Sequence, residues 1–169
     1  MAEVDVLFPY TEKHDKQTVA WLNSDDLRET FGLTYRPTLE SHRSWLDQQS
    51  NLYLRAIVYK GQHVGNALLK LDQRHNKATL EIYLGDSRVH GKGLGKKALS
   101  ELLSLGFENL ELNRIQLVTR TTNKIAESLY INSGFQLEGC ERQAIKTNSG
   151  YLDQNLWSIL KSDWVKNDV

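Results

Sequence analysis

The alternation of apolar and polar positions changes period along the chain, and each change predicts an element. Val4-Asp5-Val6-Leu7-Phe8 alternates and stops at Pro9, which predicts a short first strand. From about Lys13 to Phe31 the pattern is helical, one or two short helices with Ser24-Asp25-Asp26 as an N-cap between them. Thr38 caps a further helix, expected to turn Trp45 and Leu46 inward. Three strand-like runs follow: Leu52 to Lys60, then Val64 to Leu71 after a turn at Gly61-Gln62, then Thr79 to Leu84 after the polar stretch Asp72 to Lys77. They predict an antiparallel meander in which Leu80, Ile82 and Leu84 share one face.

Beyond residue 90 the period lengthens. Leu94, Ala98, Leu102, Leu105 and Phe107 recur at helical spacing and predict a long amphipathic helix that ends near Glu108-Asn109-Leu110-Glu111. Arg114 to Arg120 reads as a strand and Asn123 to Asn132 as a short helix, stopped by Gly134 as a left-handed cap. Phe135 to Lys146 and Tyr151 to Leu160 are strands on either side of Asn148-Ser149-Gly150. The sum is a mixed sheet carrying helices, an α/β or α+β layer domain taking in residues 1–169 as one unit.

Composition narrows the function classes. A chain of 169 residues, 40% apolar and 25% charged, is ordinary for one globular domain with a real core. Lys plus Arg and Asp plus Glu are equal at 21 each, so there is no overall basic excess and nucleic acid is not an expected partner. The single cysteine, Cys140, has no internal partner and reads as strand packing rather than as a nucleophile. Met1-Ala2-Glu3-Val4-Asp5 is acidic without an apolar stretch, and no run of roughly 18 apolar residues occurs. No membrane association is expected, and the expected location is cytoplasmic. The five histidines lack ligand spacing, so no metal is expected. The final strand, with Trp157 and Trp164, is a candidate homodimer contact.

The chemistry concentrates at His90-Gly91-Lys92-Gly93-Leu94-Gly95-Lys96, between a strand and the long helix. Alternate glycines let a backbone turn tightly and approach a ligand. The unpaired N–H groups and positive dipole end of the following helix suit a pyrophosphate, with Lys92, Lys96 and Lys97 adding positive potential. A Walker loop requires Ser or Thr after Gly-Lys, and Lys97 stands there; a dinucleotide fingerprint requires glycine at position 96, which is Lys.

Arg88-x-x-Gly91-x-Gly93 resembles the coenzyme A signature of the GNAT N-acetyltransferases. Asn123-x-x-Ala126-x-x-x-Tyr130-x-x-x-Gly134-Phe135 is similar to the same family's helix and turn, and the segments flanking these blocks resemble its RimJ/RimL-type branch. The resemblance covers nearly the whole chain. It implies a mixed, mostly antiparallel, seven-stranded sheet flanked by helices, and direct transfer of acetyl from acetyl-CoA to a primary amine in a ternary complex. It further implies that Ile82, Tyr83 and Leu84 bind the pantetheine arm through their backbone and polarise the thioester. Arg88, His90, Gly91, Lys92, Gly93, Leu94, Gly95 and Lys96 fall on its pyrophosphate loop, and Asn123 on a pantetheine contact.

Tyr130 falls on the position that acts as general acid in related enzymes, and packing against cofactor or core is its plain alternative. Glu81 is the candidate base, against the reading of a solvated strand carboxylate; Glu29, His42 and Asp153 are weaker choices. The acceptor stays open among a protein N-terminal amine, which the branch favours, a polyamine held by Glu29, Glu40 and Glu81, and an amino sugar. A coenzyme A-binding module without transfer is the remaining alternative.

Overall fold

The computed structural model describes residues 4–166; Met1, Ala2 and Glu3 of the acidic N-terminal stretch lie outside them. Seven strands take the order β1-β2-β3-β4-β5-β7-β6, mixed and mostly antiparallel. They are β1 (Leu7–Pro9), β2 (Leu52–Tyr59), β3 (Gln62–Asp72), β4 (Lys77–Leu84), β5 (Arg114–Arg120), β6 (Gln136–Thr147) and β7 (Gly150–Leu160). The helices are α1 (Asp15–Leu22), α2 (Asp25–Phe31), α3 (Leu39–Asp47), α4 (Leu94–Ser104), α5 (Lys124–Asn132) and α6 (Lys161–Lys166). The chain divides into two compact units, residues 1–70 with 81–102 and residues 71–80 with 103–169.

In the first unit β1 pairs antiparallel with β2, and β2 with β3. The β2–β3 turn is Lys60-Gly61, both left-handed, one residue earlier than the pattern predicts, because the ladder runs on to Tyr59 opposite Gln62. Ile57, Leu69, Leu99 and Leu102 are fully buried. Removing such side chains from water is the main stabilising contribution of this core, at roughly 1.5–3 kcal/mol each. The Glu101 carboxylate on α4 accepts from the amides of Val6 (2.9 Å) and Leu7 (2.8 Å), tying the short edge strand to the helix. Ser24 caps α2 as expected, and Thr38 with Ser41 forms a reciprocal capping box on α3. On α3 the buried position belongs to His42, while Trp45 keeps 45% of its surface exposed, so the expected inward Trp45 is corrected.

In the second unit Lys77–Thr79 of β4 pair parallel with Arg114–Gln116, and β5 then pairs antiparallel with β7, which pairs with β6. Phe107, Ile115 and Ile159 are fully buried, and the buried Trp157 donates its indole N–H to Thr119 Oγ1 at 2.9 Å. After α4 the segment Leu105–Asn109 widens to a π-helical turn. Glu138 on β6 accepts from both Arg114 terminal nitrogens (2.5 and 2.7 Å) and from Ser158 Oγ (2.6 Å), which hold its pKa down at about 2. Cys140 lies exposed on β6 rather than packed, since that strand is almost wholly exposed.

Candidate active site

The glycine loop grows from the end of β4. Gly85 and Asp86 both donate their amides to the Val64 carbonyl (2.9 and 3.1 Å), so two residues of the one segment oppose a single residue of β3. Asp86 caps the short turn Ser87–Val89 and grips the Arg88 guanidinium through both oxygens (Nε to Oδ1 2.9 Å, terminal nitrogen to Oδ2 2.7 Å). Those bonds lower the Asp86 pKa to about 2. His90 closes the loop: its Nε2 lies 3.0 Å from the Leu84 carbonyl, which can only accept, so that nitrogen carries the proton.

Gly91 and Gly93 have φ of 76° and 75°, left-handed values that side chains disfavour. A Cβ built on either would meet no protein atom within 4 Å, so both glycines leave open space rather than close packing. Gly95 belongs to the first turn of α4, not to the turn before it. The Lys97 amide reaches the Gly93 carbonyl at 3.1 Å, so the amides of Leu94, Gly95 and Lys96 precede the first intrahelical bond. A groove of about 760 Å³ runs beside this helix start, lined by Lys60, Lys92, Lys96 and Lys97 together with Asp5 and Glu101. The Lys92 ammonium stands 5.7 Å from the Tyr59 ring centroid. Turn, free amides and lysines together fit a diphosphate.

A second concavity of about 550 Å³, also within the first unit, is walled by Leu22, Phe31, Leu33, Tyr35, Trp45 and Leu68, with Glu81 and Tyr83 of β4 on the same lining. Glu81 is exposed on the cavity lining, yet the protein crowded around it raises its pKa above the ordinary carboxylate value, with Lys70 opposing. Burial likewise pushes the Tyr83 phenol up to about 12, so it stays a neutral hydroxyl.

One side of this cavity is backed by a hydrogen-bonded network. Asn66 Nδ2 donates to Tyr83 Oη (2.8 Å) and to Thr18 Oγ1 (2.9 Å), and Asn66 Oδ1 lies 2.8 Å from His63 Nε2. Tyr10 Oη donates to Thr18 Oγ1 (2.9 Å) and lies 3.1 Å from His42 Nε2. With those donors committed, both histidines carry their proton on Nε2. Burial lowers the pKa of His14, His42 and His63, which keeps them neutral. His14 and His42 are buried and His63 half-buried, and His42 and His63 stand in the network behind the cavity. Sequence reading missed Thr18, Asn66 and the aromatic wall. Their positions run from 18 to 83 on separate elements, and no local spacing marks them.

The other candidates lie elsewhere. Glu29 and Glu40 are exposed and outside the cavity lining. In the second unit, Asp153 Oδ1 accepts from the Gln143 amide at 2.7 Å and braces a left-handed irregularity in β6. Asn123 caps α5, its Oδ1 accepting from the Ala126 amide at 3.2 Å. Tyr130 is buried edge-on to Phe135, ring centroids 5.4 Å apart. Between them on α5, the buried Glu127 accepts from Asn155 (2.6 Å) and Lys124 (3.0 Å). Among the described residues no cluster of three or more His, Cys, Asp or Glu is placed to hold a metal, and no helix is long and apolar enough to cross a membrane.

The profile of a family described as an acetyltransferase (GNAT) domain matches residues 6–136. A putative ribosomal N-acetyltransferase, YdaF of Bacillus subtilis, is 30% identical over 134 residues, 78% of this chain and 72% of that protein. A spermine/spermidine N(1)-acetyltransferase of the same organism is 35% identical over 89 residues, 49% of this chain and 59% of that protein. Among solved structures, a spermidine N-acetyltransferase from Vibrio cholerae in complex with CoA and spermine aligns with TM-score 0.88 at 18% identity, covering 94% of this chain and 96% of that one. At that identity the likeness is one of fold.

Proposed function

Because the chain belongs to the GNAT acetyltransferase family and is an acetyl-CoA-dependent N-acetyltransferase, we propose that it acetylates a primary amine seated in the cavity of the first unit, a protein N-terminal amine ahead of a polyamine. The observation that carries this reading is the pair of features joined by β4: a left-handed glycine turn opening the free amides of α4, and a cavity carrying Glu81 and Tyr83. The loop amides from His90 to Lys96 bind the diphosphate of the donor. Backbone groups of Ile82, Tyr83 and Leu84, with Asn123, hold its pantetheine arm, and their N–H donors stabilise the oxyanion as charge develops.

Glu81 takes a proton from the incoming ammonium, and its raised pKa brings it closer to that task. The amine nitrogen attacks the thioester carbonyl carbon, the C–S bond breaks as Tyr130 gives a proton to the leaving thiolate, and the second proton lost by the nitrogen passes through solvent to restore the tyrosine. The N-acetylated amine and coenzyme A leave. A protein N-terminal amine is favoured because the relative with the longer match carries a ribosomal name, and because a polyamine would want the further carboxylates that Glu29 and Glu40 do not bring to the lining.

The test is thiol release from acetyl-CoA in the presence of amines. Replacing Tyr130 by Phe is expected to lower kcat about a hundredfold while acetyl-CoA still binds. Unchanged turnover at all pH values would remove the acid role.

A further inference from the structure

The acceptor cavity has a chemistry of its own. We infer that it selects an amine with a single positive charge on a compact body with flat apolar faces, such as an aromatic side chain or a deoxygenated ring, and rejects polyamines and strongly hydroxylated amines. This selectivity rests on the acetyl-transfer reading of the same site.

Charge sets the first limit. Among the described residues lining the cavity, Glu81 is the one carboxylate, and no lysine or arginine joins it. One ammonium therefore finds one counter-charge. The protein crowded around Glu81 raises its pKa above the ordinary carboxylate value, a sign that the apolar lining solvates charge less well than open water does. A second or third ammonium would be stripped of water there with no partner, which is strongly unfavourable.

Surface sets the second. Phe31, Tyr35 and Trp45 present rings from α2, from the segment after it and from α3, and the Tyr83 ring lies edge-on to Phe31 with centroids 5.5 Å apart. Trp45 is 45% exposed and Tyr35 59% exposed, large apolar faces that the fold itself leaves uncovered. A space of about 550 Å³ with such walls suits a small ligand of about one ring and its amine arm. The polar groups facing it from the other packed elements are already engaged. Asn66 spends its amide hydrogens on Thr18 and Tyr83, and His42 is tied to Tyr10, so little is left to match a ring of hydroxyls.

The experiment separates this selectivity from the acetyl-transfer reading by using two readouts on the whole chain. Binding of amines to the protein saturated with coenzyme A is measured by calorimetry and by Trp45-dependent fluorescence, with a Trp45→Phe control. Turnover is measured separately as thiol release from acetyl-CoA. The probes are 2-phenylethylamine, phenylalanine amide as an N-terminal mimic, a 4-amino-4,6-dideoxyhexose, glucosamine, methylamine and spermidine. At least one of the first three is expected to bind tenfold or more tightly than glucosamine, methylamine and spermidine, since even one methylene in an apolar pocket discriminates by about tenfold or more. Which of the three leads tells whether the amine comes from a protein terminus, a free arylalkylamine or a sugar. Spermidine or glucosamine binding as tightly as the best of the three overturns the inference. Selective binding without any turnover leaves the cavity's selectivity standing and sinks the acetyl-transfer reading instead.

Discussion

The glycine loop and the aromatic cavity belong to the same compact unit and are built on opposite principles. The loop works through main-chain groups: two left-handed glycines, three free amides and a helix dipole. The cavity works through side chains brought from α1, α2, α3, β2, β3 and β4. A backbone device needs particular residues at fixed neighbouring positions, so it leaves a motif. A side-chain device needs only that distant residues converge, so it leaves none. The loop is therefore readable from one short stretch of sequence, and the cavity is not.

The comparison predicts that variants in the two regions move different constants. Valine at Gly93 forces a β-branched residue into a left-handed conformation and fills open space beside the turn; strain alone is about 1–2 kcal/mol. Isothermal titration should show acetyl-CoA affinity down by about tenfold or more, with the KM for the amine unmoved. A Gly93→Val protein that binds acetyl-CoA normally would break the assignment of the loop. Alanine at Trp45 should raise the amine KM about fivefold, in line with the loss of part of an aromatic wall, and leave acetyl-CoA affinity unchanged. An equal shift in both constants would mean that the regions are not separable.

A smaller effect concerns stability. His14, His42 and His63 have folded-state pKa values below the unfolded value near 6.5, so the unfolded chain binds more protons as pH falls. The stability they contribute is present above about pH 6.5 and is lost as pH falls toward their folded values. Glu138 in the second unit behaves differently: its contribution is full above the ordinary glutamate value of 4.5 and is lost only as pH falls toward about 2. Urea midpoints should begin to drop between about pH 7 and 5, before carboxylates protonate. A flat midpoint over that interval would contradict neutral buried histidines.

The later strands, most of the helices and their caps were legible because each rests on local periodicity or a local stop. β1 is corrected, since it runs Leu7–Pro9 with Pro9 paired opposite Arg55 on this edge strand instead of stopping it. Ser24, Thr38 and the stretch Arg114–Arg120 fall where the pattern puts them. The π-helical turn at Leu105–Asn109 and the short α6 were not, since both are set by packing rather than by local signals. Phe107 is buried in that turn, and the Trp164 ring of α6 lies against it at 5.5 Å. Trp45 misled for a related reason: helical spacing says which residues share a face, not whether that face meets core or cavity. Glu81 was legible as a carboxylate on a strand near the loop, while its raised pKa depends on neighbours that no single stretch contains.

The central claim is that Glu81 accepts the amine's proton in a cavity beside a coenzyme A loop. Its most direct test is the pH dependence of kcat at saturating acetyl-CoA and amine, for the native chain and for Glu81→Gln. The native enzyme should show an acidic limb whose midpoint lies above the ordinary carboxylate range. That limb should be absent in the variant, with acetyl-CoA affinity retained. The same limb, undiminished in Glu81→Gln, would contradict the claim.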